Sequence, residues 1–365
     1  MERVKLIDIC KPKQWKTISG KDILEKGKYP VYGANGKIGF YNEYNHEKPT
    51  LLIGCRGSCG TIHISEPFSY TSGNAMALDG LSSKVDIKFL FYYLKQRGFD
   101  DVMSGGVQKQ ITKVGLEKVE IPLPPLVEQQ AIAEKLDQAQ KIIDLNEAEV
   151  ARYDKLAQAL FIDMFGDPVQ NPKGWEVKKL GEVCTNILGG GTPSKSKPEF
   201  YIGDIPWVTP KDMKTKFIRN SIDHINKLAI ENSSAKLIPV DSILMVIRSG
   251  ILKHTLPVAI NKVSVTINQD MKAFLPNDKI TNTLFMLYFF KVCSYFLLGK
   301  VRAVTADNIE FNQIKNLNYI LPPITLQNEF AKRIEQIELL KNQAQQELEQ
   351  SKNLFQSLLQ ESFKG

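Results

Sequence analysis

Between residues 126 and 165 the seam residues Ile132, Leu136, Ala139, Ile143, Asn146, Val150, Tyr153, Ala157, Leu160 and Met164 recur at alternating steps of four and three. This is the heptad spacing of a coiled coil. Neither Gly nor Pro interrupts the chain between Pro125 and Gly166, so the pattern predicts one uninterrupted helix of about 37 residues, roughly 55 Å long. A second seam follows Pro323: Phe330, Ile334, Ile337, Ala344, Leu348, Phe355 and Leu358, with Lys341 and Ser351 interrupting it. Such long amphipathic helices cannot leave their stripes in water, and the economical arrangement packs the two against each other, antiparallel. The alternative is that each helix is a buried wall of its own domain.

The two helices belong to an internal repeat. Pro124-Pro125-Leu126-Val127-Glu128-Gln129-Gln130-Ala131-Ile132-Ala133 returns as Pro322-Pro323-Ile324-Thr325-Leu326-Gln327-Asn328-Glu329-Phe330-Ala331, and the same displacement aligns Leu136 with Ile334, Leu156 with Leu354 and Phe165 with Phe363. Upstream it pairs Gln110-Ile111 with Asn308-Ile309. The chain therefore reads as two globular units, each leading through a diproline into a long helix. Both units open alike, Val4-Lys5-Leu6-Ile7-Asp8-Ile9-Cys10 against Lys178-Lys179-Leu180-Gly181-Glu182-Val183-Cys184, and diverge strongly beyond that.

In the first unit the strand-like runs Leu51-Leu52-Ile53-Gly54 and Thr61-Ile62-His63-Ile64 flank the Gly-rich turn Arg56-Gly57-Ser58-Cys59-Gly60. Arg56 and Lys37 stand beside glycines, where backbone can approach a phosphate; ordinary hairpin chemistry is the plain alternative. The second unit carries Gly189-Gly190-Gly191-Thr192-Pro193-Ser194-Lys195-Ser196-Lys197. It is not a nucleotide P-loop, because Ser194 rather than Gly precedes the Lys-Ser pair. What remains is a loop of hydroxyls and two lysines, suited either to a DNA backbone or to solvent. Lys211 and Arg248-Ser249 are further candidates, and Trp207 reads as core rather than as a base-stacking platform.

Composition narrows the class of function. With 365 residues, 43% hydrophobic and 24% charged, the chain can build two or three ordinary cores. The net charge of +7 is concentrated in residues 1 to 125 and 168 to 323, while the two helical segments are net acidic. Two basic blocks suggest two surfaces for a polyanion. Cys10, Cys55, Cys59, Cys184 and Cys293 show no metal-type spacing and read as reduced thiols. Met1-Glu2-Arg3-Val4-Lys5 is followed by no apolar signal core, and the apolar stretch Leu284 to Leu298 is broken by Lys291, so a soluble cytoplasmic protein is expected. His46, His63, His224 and His254 are scattered without partners for a zinc site or a triad. No Asn-Pro-Pro-aromatic tetrapeptide, cofactor-binding glycine turn or ATPase motif is present. A binding module with no cofactor and no metal is the expectation.

At these residues the chain resembles the specificity subunit of a Type I restriction-modification enzyme. The resemblance covers essentially the full length and rests on Leu123-Pro124-Pro125-Leu126-Val127-Glu128-Gln129, on Leu321-Pro322-Pro323-Ile324-Thr325-Leu326-Gln327-Asn328, and on two recognition-domain patterns. One is Tyr29 to Tyr41 with Leu51 to Gly57; the other is Gly203 to Val208 with Val265 to Met271. Leu326 departs from the usual Glu. The resemblance implies an α+β chain with target-recognition domains at 1–123 and 168–321, separated by helices at 124–167 and 322–365 that pack as an antiparallel coiled coil with pseudo-two-fold symmetry. It implies a non-catalytic reader of double-stranded DNA, bound by two modification subunits and by restriction subunits, with no membrane partner. The target is expected to be bipartite and asymmetric, with the helices setting its gap. Tyr32, Asn35, Lys37, Arg56, Ser58, Lys109, Gln110, Gly190, Thr192, Ser194, Lys195, Lys197, Lys211, Arg248 and Ser249 are the expected DNA contacts. Gln129, Gln130, Gln327 and Asn328 are the expected partner-docking residues. The competing reading is a coiled-coil adaptor whose basic domains bind RNA or an acidic protein.

Overall fold

The computed structural model describes residues 3–106, 108–302 and 308–364, with the side chains of residues 300–302 excluded; Met1 and Glu2 of the opening segment lie outside it. The chain divides into two units, one of residues 1–147 and 346–365, the other of residues 148–345. The predicted helices are present as Leu126–Phe165 and Ile324–Ser362. Each begins after its diproline, where the Pro125 and Pro323 carbonyls accept from the Gln129 and Gln327 backbone N–H groups, both at 3.1 Å. Each helix contributes one half to each unit.

Inside each unit the halves run antiparallel, and both polar interruptions of the second seam have partners. In the first unit Leu136, Ala139 and Ile143 pack with Phe355 and Leu359, and the Asn146 amide donates to the Ser351 hydroxyl at 2.9 Å. A paired polar contact of this kind ties a helix pair to one register. In the second unit the Lys341 ammonium meets Asp154 at 2.6 Å, and Phe161 and Phe165 pack around Phe330. Here the predicted seam is corrected: Leu160 and Met164 are half-buried, while Phe161 and Phe165 are fully buried. An α-helix has 3.6 residues per turn, so a strict 3.5 pattern drifts about 20° per heptad. The buried face has moved round by one position, and these phenylalanines now also join the core of their unit.

The globular parts follow one plan. The first unit has a four-stranded sheet in the order Lys11–Gln14, Ala75–Asp79, Leu51–Gly54, Ile62–Ile64, and a three-stranded sheet in the order Gly36–Tyr41, Tyr29–Gly33, Tyr70–Thr71. The second unit repeats both, as Cys184–Gly189, Met271–Pro276, Ile243–Val246, Val258–Asn261 with Phe217–Ile218 added, and as Asp223–Ile225, Ile205–Val208, Thr266–Ile267. In both small sheets the last pair is parallel. The central strands Leu51–Gly54 and Ile243–Val246 are buried throughout and read as continuous apolar runs rather than alternating ones. The two units, divergent in sequence beyond their opening segments, thus share one topology. Each unit closes with a ribbon at the foot of a long helix, Arg3–Lys5 with Glu120–Pro122 and Val177–Lys179 with Asn318–Ile320.

A capped aromatic helix completes each unit. Asp86 caps Ile87–Arg97 by accepting from Lys88 and Phe89 N–H, and Asn282 caps Thr283–Val292 by accepting from Leu284 and Phe285 N–H. All five cysteines are free thiols, and burial pushes Cys10 and Cys184 up to about 12. Among the described residues no helix is long and apolar enough to cross a membrane, and no cluster of His, Cys, Asp or Glu could hold a metal.

Candidate nucleic-acid interface

In the first unit the chain leaves the strand Leu51–Gly54 through a tight turn carrying Arg56 and Ser58, both exposed. Gly54 admits no side chain, since a Cβ there would lie 2.3 Å from the Ser58 carbonyl. A later segment comes alongside. The Ile111 N–H donates to the Cys55 carbonyl at 3.1 Å, the Cys59 thiol donates to the Lys109 carbonyl at 3.1 Å, and Arg56 and Gln110 pair across a β-type backbone contact. Arg56, Ser58, Lys109 and Gln110, well separated in sequence, therefore line one open cleft of about 1050 Å³, together with Asp100 and Met103. Asn35 is exposed at the hairpin tip beside it, where the Thr61 hydroxyl that ends the turn donates to the Ala34 carbonyl.

Tyr32 and Lys37 do not join this group. Tyr32 is buried and its hydroxyl donates to Glu66 at 3.3 Å; the Lys37 ammonium pairs with the same carboxylate at 3.0 Å. Burial pushes the Tyr32 phenol up, so it remains a neutral donor.

The second unit builds the equivalent site with different side chains. Ile247 and Arg248 leave the strand Ile243–Val246, the Ile309 N–H donates to the Ile247 carbonyl at 2.8 Å, and Arg248 pairs with Asn308. Each arginine is also held by its own backbone. The Cys55 and Arg56 N–H groups both donate to the Asn74 carbonyl, at 2.9 and 3.3 Å, and those of Ile247 and Arg248 to the Asp270 carbonyl, at 2.8 and 3.2 Å. The side chains at that position differ in charge. Asp270 binds the Arg248 guanidinium at 2.6 Å, where the first unit has the uncharged Asn74.

Gly190 and Thr192 approach the same turn. A Cβ on Gly190 would sit 2.0 Å from the Asn268 carbonyl, so this glycine serves close backbone packing, and the Thr192 hydroxyl donates to Gln269. Ser249 is next to Arg248 and its hydroxyl accepts from the Ile251 N–H at 3.4 Å. Ser194, Lys195 and Lys197 lie on a following exposed turn, with the Ser194 and Ser196 hydroxyls 2.7 Å apart and the Lys197 ammonium 5.0 Å from the Phe200 ring centre. Lys211 is exposed beyond the strand Ile205–Val208, 4.0 Å from Asp223. Trp207 is buried and its indole donates to the Gly191 carbonyl at 3.0 Å, as a core residue should.

The docking expectation for two of the four helix residues is corrected. Gln129 and Gln327 are both 0% exposed. Gln129 accepts from the Asp86 N–H at 2.9 Å and donates to the Lys84 and Pro124 carbonyls at 2.9 and 2.8 Å. Gln327 accepts from the Asn282 N–H at 2.9 Å and donates to the Ile280 and Pro322 carbonyls at 3.1 and 2.8 Å. Each amide therefore latches a long helix to the capped aromatic helix of its unit, and no group is left over for a partner. Gln130 and Asn328 are exposed, with the Asn328 side chain accepting from Asn282 at 2.9 Å.

A further cavity, of about 730 Å³, lies within the second unit between its sheet, its aromatic helix and its long-helix halves. Lys216 there bonds Asp154 at 3.1 Å and Glu338 more closely. Burial opposes the Lys216 charge, but Tyr288, Glu338 and Asp154 outweigh it and hold the ammonium above its ordinary range. For Lys291 burial and the neighbouring Lys216 prevail, lowering its pKa to about 8.

Comparison with known proteins follows the same division. The model of the Type I restriction modification DNA specificity domain matches residues 1–152 and again 172–350. The chain is 32% identical over 279 residues to the Escherichia coli Type I restriction enzyme EcoR124I/EcoR124II specificity subunit, covering 72% of this chain and 67% of that protein. It is 26% identical over 328 residues to the MjaIX specificity subunit of Methanocaldococcus jannaschii, covering 82% and 73%. The crystal structure of the Type I restriction-modification S subunit from M. genitalium superposes with a TM-score of 0.60 at 17% identity, over 100% of this chain and 96% of that one.

Proposed function

Because this chain belongs to the family of Type I restriction-modification DNA specificity subunits, we propose that it is the sequence reader of such a complex and performs no catalytic step itself. Residues 1–123 and 168–321 are its target-recognition domains, and each reads one half of a bipartite, asymmetric duplex target. The helices at 124–167 and 322–365 set the gap between the halves and dock two modification subunits, which supply S-adenosylmethionine chemistry on adenine; restriction subunits join for cleavage. The observation that carries this reading is the duplicated turn, Arg56 with Gln110 and Arg248 with Asn308, in two units of one topology but different side chains. Equal folds with unequal side chains suit two unlike half-sites. Two similar helices likewise suit two copies of one partner.

Within each site, lysines hold phosphates and set register, while Arg, Asn, Gln and Ser reach base edges in the major groove. Lys109 fills the first role in the first unit, and Lys195, Lys197 and Lys211 fill it in the second. Such a subunit works on cytoplasmic DNA. The test is binding of fluorescent duplex and of structured RNA by the purified chain with its modification partner, across a salt series. Duplex binding that weakens steeply with salt and favours one sequence supports the proposal; equal preference for RNA would overturn it.

A further inference from the structure

We infer that Arg56 with Gln110, and Arg248 with Asn308, are matched base-reading pairs, one for each half of the target. The inference rests on the DNA-reading role proposed above and names the side chains that carry its specificity.

The two pairs occupy one structural position. Each arginine is the second residue past a fully buried central strand, and its backbone N–H is fixed on the carbonyl of the turn before the neighbouring strand. Each stands directly opposite an amide side chain, because Gln110 and Asn308 begin the short segment whose next residue, Ile111 or Ile309, donates to the backbone just before the arginine. Residues paired in this way have Cβ atoms about 5 Å apart and project to the same side. That spacing suits neighbouring base pairs, which step by about 3.4 Å.

The chemistry is that of base edges rather than phosphates. A guanidinium can bond guanine O6 and N7 together, and a carboxamide can bond adenine N6 and N7 together. A carboxamide adds no charge to phosphate binding, and what it brings beside an arginine is the paired donor and acceptor that match a base edge. Both arginines, and Asn308, are exposed. The units also differ in a way that fits reading different bases. Asp270 holds the Arg248 guanidinium in one orientation and neutralises part of its charge, whereas Asn74 leaves the Arg56 head uncompensated at the equivalent place.

The experiment uses the full complex of this chain with its modification subunits, acting on a randomised duplex library, with methylated bases mapped by sequencing. Arg56→Lys keeps the charge and removes the fork. It is expected to relax preference at one or two adjacent positions of one half-site by roughly 5- to 150-fold, leaving the other half and the gap unchanged. Arg248→Lys should do the same in the opposite half only. Gln110→Glu and Asn308→Asp replace a donor by an acceptor and should move preference from adenine towards cytosine in the corresponding half. Uniformly weaker methylation with unchanged preference would assign these residues to phosphates and overturn the inference, as would a change in both halves or in neither. Absence of any bipartite motif with the unsubstituted chain would instead sink the DNA-reading role itself.

Discussion

Replacing Gln129 by Met removes the amide at nearly constant volume and isolates the latch from its packing. Three hydrogen bonds of a fully buried side chain are lost, leaving the Asp86 N–H and the Lys84 and Pro124 carbonyls without these partners, the Pro124 bond being the fully buried one. A buried polar group left unsatisfied costs about 1–3 kcal/mol. Partial relaxation of the loop before Ile87 lets the least confined carbonyl reach water, so a total of about 3 kcal/mol is expected rather than the full sum. The chain has two units, so one global midpoint would average unlike events. Amide hydrogen exchange resolves them. Gln129→Met should accelerate exchange across residues 84–97 and 126–136 by about 100-fold and leave residues 148–345 unchanged, and Gln327→Met should produce the converse. Gln130→Ala, at the exposed neighbour, is the control and should change neither. Protection in residues 84–97 that survives Gln129→Met within threefold would refute the latch.

Three other outcomes follow from the same geometry. Asn146→Leu alone should cost about 1 kcal/mol by removing the donor to the Ser351 hydroxyl oxygen, which keeps its own bond to the Glu347 carbonyl, and the double change with Ser351→Leu should recover most of it, as amide exchange across residues 132–146 and 348–359 would show. The folded-state pKa of Lys291 lies below its unfolded value, so the penalty for its charge is full below about pH 8 and is relieved as pH rises towards 10. The groups around it are Lys216, Asp154, Glu338 and Lys341; Lys291→Met should stabilise the second unit by about 1–2 kcal/mol at pH 7 and abolish the rise above pH 8, as amide protection within residues 283–298, corrected for intrinsic exchange, would show. Changing Lys195 and Lys197 together to Gln should weaken binding to every duplex alike and lower the salt slope by about two, and an unchanged slope would remove that turn from the interface.

The helices and their pairing were legible because they rest on local periodicity and on a repeat that runs without gaps. The strand order common to the units was not, because beyond the opening segments their strands share no sequence pattern and the spacing changes. Gln129 and Gln327 are 198 positions apart, yet their partners Asp86 and Asn282 are 196 apart. Scanning at the second spacing would have aligned the two helix caps and then Phe89 with Phe285 and Tyr92 with Tyr288. The assignment of Gln129 and Gln327 to partner docking failed for a related reason. A glutamine in the first turn of a helix reads as surface unless the loop bringing an N–H and a carbonyl to it is known. Arg56, Ser58, Lys109 and Gln110 were each legible as residue types, but their convergence depends on the Ile111–Cys55 backbone bond, which no local pattern announces.

The most direct measurement is a map of methylated bases in cells expressing this chain with its modification subunits, compared with cells in which residues 168–321 are exchanged for those of a related specificity subunit. The account predicts one motif of two unrelated short halves at a constant gap, in which the exchange rewrites one half and preserves the other. A continuous or palindromic motif, or an exchange that rewrites both halves, would contradict it.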